Sequence, residues 1–151
     1  MVQFKKILCP FDFSENAQEA LQYAIHLMSK DEDATLYLTH VVDNRVYDYG
    51  GPIYGQEPSV SMVVLDQSIR EQLEKKLLDH VPEEIQNRVE TIILFGVPFL
   101  EIIITAKDKN VDLIVIGTHG RTGIAHMLIG SVAEKVVRKA PCPVLSVKSK
   151  K

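Results

Sequence analysis

The stretch "DLIVIGTHGRTGIAHMLIGSVAEKVVRKA", residues 112–140, decides the fold. It begins with the uninterrupted apolar run "LIVI", continues through a loop with three glycines, and ends in a segment predicted to be a helix. An apolar run without alternation is typical of a strand covered by helices on both faces, as in a parallel sheet. The stretch therefore predicts one strand–loop–helix unit of a layered α/β fold.

Strand and helix patterns alternate along the rest of the chain. Strands are predicted at 5–13, 35–43, 88–96, 112–117 and 142–148, and helices at 14–30, 60–81, 98–110 and 131–140. Ser14 is a favoured N-cap residue, and Pro98 suits the first turn of a helix. The alternation predicts a three-layer open sheet of five parallel strands with helices on both faces, in a single domain of residues 1–151.

One connection is longer than the others. Residues 46–59 contain three glycines, two prolines and three tyrosines, so this segment is predicted to be a loop. A loop of this length is unusual inside a compact domain. The wider segment 44–60 is therefore a candidate mobile lid or contact loop.

The composition is that of a soluble globular protein, with 46% hydrophobic and 25% charged residues. The 17 basic and 20 acidic residues give a net charge of −3, which does not favour nucleic acid or an anionic membrane as the main partner. The basic end "KSKK", 148–151, is interpreted as a solvated tail. No apolar run reaches the roughly 18 residues of a membrane span, and the N-terminus lacks a signal-peptide pattern. A cytoplasmic location is therefore predicted.

The two cysteines, Cys9 and Cys142, form neither a zinc-binding spacing nor a C-x-x-C motif. Each lies next to a proline at the edge of a predicted strand. They are interpreted as two buried thiols in a reducing compartment.

The glycine loop leaves two interpretations open. Gly130 and Ser131 stand where the predicted helix begins, and a glycine there lets an anion approach the unpaired N–H groups of the helix. The Ser131 hydroxyl can add a donor, but the lysine of a P-loop is absent. "SVAE" is also a capping box, in which Ser131 caps the helix and Glu134 reciprocates. The residues alone support phosphate binding and a turn-and-cap role equally.

Three loops are expected to converge, because the carboxyl ends of parallel strands meet at one edge of a sheet. They follow the first strand at Asp12, the second strand, and the fourth strand at the glycine loop. Asp12 alone is most simply a turn or cap residue, but the convergence favours a ligand contact. His119 lacks a carboxylate to orient it as a base, so it is interpreted as an exposed loop histidine. Arg121 can equally pair with a phosphate or remain solvated.

The spacing G-x2-G-x9-G-S, formed by Gly117, Gly120, Gly130 and Ser131, resembles the nucleotide-binding motif of the universal stress protein family. "KKILCPFDFSENA" resembles the first strand and turn of that family, and "APCPVLSVK" resembles its closing strand. The resemblance covers about residues 3–148. It implies a Rossmann-like fold of the adenine nucleotide alpha hydrolase type, and it implies ATP binding, since members with this motif typically bind ATP.

The resemblance also implies roles for individual residues. Asp12 would contact the adenosine, Pro10 would line the pocket, and Val41 would hold the adenine through its backbone. The residues implied around the phosphates are Gly117, Gly120, Arg121, Gly130, Ser131 and Val132. The first three would shape the loop, and the last three would bind through backbone N–H groups and the hydroxyl. A homodimer paired through the fifth strand, 143–148, is implied as well.

Three functions remain open from the sequence. The first is an ATP-binding regulator or switch in the stress response, with Mg²⁺ on the phosphates as an option. The second is a slow ATP hydrolase or an autophosphorylating enzyme of the same fold. The third is a nucleotide-free dimeric scaffold or chaperone. Fast chemistry is disfavoured, because the chain lacks a P-loop lysine, an obvious carboxylate pair and a base with an evident orienting partner. No catalytic residue and no metal ligand is predicted.

Overall fold

The computed structural model describes residues 1–43, 67–120 and 129–150. The predicted loop 46–59, the first part of the predicted helix 60–81, and Arg121 lie outside the described residues. The strands are β1 (Lys6–Pro10), β2 (Thr35–Asp43), β3 (Val89–Gly96), β4 (Leu113–Gly117) and β5 (Val144–Val147). The helices are α1 (Glu15–Met28), α2 (Gln67–Leu78), α3 (Pro98–Asp108) and α4 (Ser131–Lys139). A 3₁₀ helix, Glu83–Arg88, was not predicted.

All five strands are parallel, in the order β3-β2-β1-β4-β5. The predicted α/β sheet is thereby confirmed. After β1 the chain builds β2 and β3 on one side, and it then returns to place β4 and β5 on the other side. The strand order therefore reverses between β1 and β4, and in open α/β sheets such a point forms a crevice at the carboxyl ends of the strands.

Two hydrophobic cores lie on the two faces of the sheet. One packs α1 and α2 against the sheet and includes Ile7, Leu38 and Leu77, and the other packs α3 and α4 against it and includes Leu8 and Ile114. Successive residues of β4 point alternately into the two cores, so the whole run "LIVI" is at most 5% exposed. Burial on both faces explains the absence of polar alternation in that strand.

The first strand ends earlier than predicted. Instead of continuing to residue 13, β1 ends at Pro10, because the chain turns at Phe13, whose φ of 64° lies in the left-handed region. Ser14 then begins α1, and its Oγ accepts a hydrogen bond from the Ala17 N–H at 3.2 Å. The predicted N-cap is confirmed, as is Pro98 in the first turn of α3.

The interpretation of the two cysteines as buried thiols is correct only for Cys9. Cys9 is fully buried in β1, and burial raises the pKa of its thiol to about 12. Cys142 is half-buried at the approach to β5, since an edge strand is covered less completely. No helix in the described part of the chain has the length and apolar character that a membrane span requires.

Candidate functional site

The loop after β1 and the loop after β4 touch at the carboxyl edge of the sheet. A Cβ atom added to Gly120 would lie 2.7 Å from Oδ2 of Asp12, so the absence of a side chain at Gly120 makes room for this carboxylate. The other oxygen, Oδ1, accepts a hydrogen bond from the Ser14 N–H at 3.0 Å. The carboxylate is thus held in one orientation at the point where the strand order reverses.

Gly130 joins the start of the glycine loop to the start of α4. Its N–H donates to the carbonyl oxygen of Thr118 at 2.5 Å. A Cβ at this position would lie 2.9 Å from that oxygen and 3.4 Å from Cα of His119. The φ of Gly130 is −72°, which any residue can adopt. Glycine is therefore needed here for the close approach of two backbone segments.

The N-terminus of α4 has no side-chain cap. The capping-box interpretation is wrong, because Gly130 occupies the N-cap position and Ser131 is the first residue of the helix. Glu134 forms an ion pair with Arg138 instead of reaching back. Ser131 is exposed, and its hydroxyl has no hydrogen-bond partner among the described residues.

The open end of α4 differs from the beginning of α1, where Ser14 supplies the cap. In α4 the backbone N–H groups of Ser131, Val132 and Ala133 find no acceptor within the described residues. Unpaired N–H groups at a helix N-terminus, together with the helix dipole, form an environment that suits an anion. Of these residues, Ser131 and Val132 belong to the sequence-predicted phosphate site.

The backbone of Val41 faces the same crevice. Pairing of β1 with β2 ends at Pro10 and Thr39, and the Phe11 N–H donates to the Thr39 carbonyl oxygen at 2.7 Å. The backbone groups of alternate residues in a strand point to the same side. The N–H and C=O of Val41 therefore point toward the β1 side, beyond the last strand residue of β1, Pro10.

Aromatic residues fix the segment that carries Asp12. The rings of Phe11 and Phe13 pack edge to face, with their centroids 5.2 Å apart. Nδ1 of His40 lies 2.8 Å from the carbonyl oxygen of Phe11, and because a carbonyl can only accept, this nitrogen carries the hydrogen. The His80 ring lies 4.9 Å from that of Phe11. These contacts hold both residues that flank Asp12.

Gly117 has a packing role that the sequence did not indicate. A Cβ on Gly117 would lie 2.8 Å from the backbone carbonyl carbon of Asn16 in α1. The side-chain oxygen of Asn16 accepts a hydrogen bond from the Ser149 N–H at 2.8 Å. The first glycine of the motif thus lets α1 pack against the end of β4, and Asn16 also anchors the segment after β5. No signal in the sequence identified Asn16.

Thr118 is the second residue that sequence reasoning missed. It is 7% exposed, and its hydroxyl lies 3.0 Å from Nδ1 of His119. The interpretation of His119 as an exposed loop histidine is therefore wrong, because the residue is half-buried and has a side-chain partner. The available signal was the position of Thr118 directly before His119 in "GTHG".

A groove lies away from this crevice. It is open, has a volume of about 260 Å³, and lies at the opposite edge of the sheet, between the turn before β2 and the beginning of β3. Its Arg88 guanidinium donates to the carbonyl oxygens of Asp31 and Glu32, which indicates a structural role. Within the described ranges, no three side chains of His, Cys, Asp or Glu are grouped to hold a metal ion.

The sheet order and the crevice between β1 and β4 define a doubly wound α/β protein. The chain belongs to the universal stress protein family, whose family model matches residues 3–148. It is 40% identical to the universal stress protein MJ0531 of Methanocaldococcus jannaschii over 148 residues, which cover 98% of this chain and 84% of that protein.

Solved structures show the same fold. The universal stress protein MJ0577 of Methanocaldococcus jannaschii is 35% identical over 162 residues, covering 99% of this chain and 98% of that protein. Its structure matches with a TM-score of 0.80, at 33% identity and with 99% of each chain covered. A universal stress protein from Archaeoglobus fulgidus, solved in complex with dAMP, matches with a TM-score of 0.58. At 20% identity, with 97% of this chain and 100% of that chain covered, that likeness shows the fold alone.

Proposed function

We propose that this protein binds ATP in the crevice between β1 and β4 and acts as a nucleotide-dependent regulator in the stress response. One observation carries the proposal: the oriented carboxylate of Asp12 and the uncapped N-terminus of α4 flank the same glycine loop. A carboxylate accepts hydrogen bonds from ribose hydroxyls, whereas open N–H groups bind phosphates. The two halves of the site therefore match the two halves of a nucleotide.

In this proposal the nucleoside lies over the end of β1. Asp12 accepts from the ribose, and the outward N–H and C=O groups of Val41 hold the adenine edge. Pro10 is buried at the last position of β1 and forms the floor of the crevice. β2 extends beyond β1, so the backbone groups of Val41 lie beyond the last residue of that neighbouring strand.

The phosphates lie at the beginning of α4. Ser131 and Val132 supply backbone N–H groups, and the exposed Ser131 hydroxyl supplies a further donor. Gly120 and Gly130 keep the loop free of side chains where the phosphates approach, and Arg121 remains a prediction outside the described residues. Mg²⁺ would bind to phosphate oxygens and water.

Related structures support an adenine nucleotide in this fold. The Archaeoglobus fulgidus protein was solved with dAMP, and it shares the fold of this chain. Regulation is favoured over fast catalysis, because the sequence lacks a P-loop lysine and the described residues contain no group of three His, Cys, Asp or Glu side chains that could hold a metal ion. A turnover assay distinguishes slow hydrolysis and autophosphorylation from simple binding.

The proposal includes a homodimer in the cytoplasm, with neither nucleic acid nor membrane as partner. Within the described sheet, β5 is an edge strand that pairs only with β4. An unpaired strand edge is a template for pairing with another chain. Residues 143–148 of two copies would pair across a two-fold axis.

Calorimetric titration of ATP with Mg²⁺ into nucleotide-stripped protein tests the proposal. Wild type should bind saturably. Gly130→Val should lose binding, because the added side chain collides with the Thr118 carbonyl oxygen. Ser131→Ala should weaken binding by about tenfold, the effect of losing one charge-assisted hydrogen bond.

Ser29→Ala is a matched control, because it removes an exposed serine hydroxyl at the C-terminal end of α1. It should bind ATP like the wild type. Binding by wild type and Gly130→Val alike would place the phosphates elsewhere. Absence of binding in a folded wild type would instead favour the scaffold function, and release of ADP at a steady rate would favour the enzyme.

A further inference from the structure

Phe13 has an unusual backbone conformation for its residue type. Its φ of 64° lies in the left-handed region, which is sterically unfavourable for every residue except glycine. Such a conformation persists only where the surrounding structure holds it. Phe13 lies between Asp12, the carboxylate of the proposed site, and Ser14, the N-cap residue of α1. A change in the backbone at Phe13 would therefore reorient that carboxylate relative to the helix.

The side chain of Phe13 contacts three aromatic rings from different parts of the chain. Its ring centroid lies 5.2 Å from that of Phe11, 5.1 Å from that of His40 in β2, and 5.9 Å from that of His80, just beyond α2. The first two pairs are edge to face, an arrangement that aromatic rings favour. Because the contacts come from three separate segments, they hold the ring of Phe13 in one position.

The backbone of Phe13 closes a hydrogen-bonded turn that contains Asp12. Oδ1 of Asp12 accepts a hydrogen bond from the N–H of Ser14, two residues later, at 3.0 Å. In such a turn the side chain of the first residue bonds to the backbone of the third, so the dihedral angles of the residue between them decide whether the bond forms. The left-handed φ of Phe13 thus fixes the carboxylate, whose Oδ2 is directed toward Gly120.

We propose that Phe13 is a positioning residue whose ring, held by the three aromatic contacts, keeps the backbone left-handed and so directs the carboxylate of Asp12 toward the ribose of the bound nucleotide. Phe13 acts through Asp12 and has no contact with the nucleotide in this proposal. The inference rests on the proposed nucleotide site. The alternative is that Phe13 only adds apolar surface to the core, in which case loss of the ring would act on stability alone.

The proposal predicts an order of affinities that packing does not. Phe13→Ala removes the ring contacts but keeps a Cβ, so the left-handed backbone is no longer held. ATP should then bind about tenfold more weakly, the effect of losing one hydrogen bond made by a charged group. Phe13→Gly removes even more apolar surface, but glycine adopts a left-handed backbone without steric cost. Phe13→Gly should therefore bind ATP more tightly than Phe13→Ala does.

A second nucleotide shows whether the effect of Phe13 passes through Asp12. The nucleotide 2′,3′-dideoxy-ATP lacks both ribose hydroxyls and has nothing to donate to this carboxylate from the ribose. Wild type should bind it about tenfold more weakly than ATP. Wild type, Phe13→Ala and Phe13→Gly should all bind dideoxy-ATP with the same affinity. Titration calorimetry of the nucleotide-stripped proteins in the presence of Mg²⁺ measures both ligands.

Phe4→Ala is the matched control. Phe4 is also a half-buried phenylalanine packed against the core on the α1 side of the sheet, but it precedes β1 and lies at the end of the sheet opposite the crevice. Its loss should lower the free energy of unfolding in urea and leave both nucleotide affinities unchanged. If Phe13→Ala does not fold, Phe13→Leu takes its place, because leucine keeps an apolar side chain and a Cβ but has no aromatic ring.

The inference is overturned if Phe13→Gly binds ATP no more tightly than Phe13→Ala or Phe13→Leu, or if these variants lose affinity for ATP and dideoxy-ATP equally. It is also overturned if Phe13→Ala binds ATP as wild type does, or if wild type binds the two nucleotides alike. In each of these cases wild type still binds ATP and the proposed function stands. A wild type that binds neither nucleotide removes both proposals together.

Discussion

Oδ2 of Asp12 lies where a side chain on Gly120 would begin, 2.7 Å from the position of its Cβ. Two loops that are more than 100 residues apart in the chain are thus fitted to one another at the end of the sheet. The contact leaves no room for a methyl group unless the carboxylate moves. The orientation of Asp12 therefore depends on the glycine across the crevice.

Gly120→Ala should displace the carboxylate and weaken ATP binding by about tenfold, the effect of disturbing one hydrogen bond made by a charged group. Because Gly120 is exposed, the free energy of unfolding should change by less than about 1 kcal/mol. Titration calorimetry and urea unfolding measure the two quantities. Asp12→Asn is the companion variant. It keeps an acceptor for the Ser14 N–H and should also weaken binding. Unchanged affinity in both variants would contradict a role of this contact in the site.

Gly117→Ala should act mainly on stability. The new methyl group would lie 2.8 Å from the backbone of Asn16, and backbone cannot rotate away as a side chain can. Forcing a methyl group into a packed contact typically costs about 1–3 kcal/mol, and a loss of that size in urea unfolding is expected here. Gly120→Ala serves as the comparison, since its neighbour is a side chain. A Gly117→Ala variant as stable as wild type would mean that α1 moves without cost.

The two serines that precede or begin helices should respond differently to removal of the hydroxyl. Ser14→Ala should lower the free energy of unfolding by about 1 kcal/mol, because the Ala17 N–H loses its acceptor. Ser131→Ala should leave stability nearly unchanged, because that hydroxyl caps nothing in the described structure. Thermal or urea unfolding of both variants measures the difference. A large loss of stability in Ser131→Ala would support the interpretation of Ser131 as a capping residue of α4.

The fold could be predicted because its signals are local. The buried run in β4 and the helical spacing of α1 depend on residues close together in the chain, and the rule for parallel strands then brings the loops of Asp12 and Gly120 to one edge. The early end of β1 could not be predicted, since nothing in the residue type of Phe13 requires a left-handed backbone. The 3₁₀ helix Glu83–Arg88 is short and polar, so it carries no strong periodicity.

The site was predictable to the extent that a motif or the topology specified it. Gly130 and Ser131 were placed correctly at the beginning of a helix, but which of them is the N-cap depends on a backbone contact with Thr118. Asn16 was missed because its role arises from partners distant in sequence, Gly117 and Ser149, and no local pattern distinguishes it from an ordinary helix residue. Thr118 was missed although its side-chain partner, His119, is the next residue in the chain.

The two thiols should differ in reactivity. Burial raises the pKa of Cys9 to about 12, and burial also raises the pKa of the half-buried Cys142. The thiolate is the reactive form, so at about pH 8 a thiol reagent should modify Cys142 slowly and Cys9 only after unfolding. Mass spectrometry of the native protein, with and without urea, identifies the labelled residue.

The raised pKa of Cys9 determines the direction in which the stability of the protein changes with pH. A folded-state pKa above the unfolded value favours the folded protein below the ordinary thiol range, and this contribution is lost as the pH rises toward 12. Cys9→Ser in urea unfolding should therefore show a weaker loss of stability at alkaline pH than wild type. Labelling of Cys9 before Cys142 in the folded protein would contradict the burial of β1.

Ser146→Pro should convert the proposed dimer to a monomer without disturbing the sheet. The carbonyl groups of Pro143 and Val147 point toward β4. Because successive residues of a strand direct their backbone groups to opposite sides, those of Ser146 point to the open edge. Proline at this position removes an outward N–H that a second copy needs, whereas the bonds to β4 stay intact. Ser146→Ala keeps that N–H and should remain dimeric. Analytical ultracentrifugation distinguishes the outcomes: a dimeric Ser146→Pro variant would place the interface on another surface, and a monomeric wild type would remove the dimer from the proposed function.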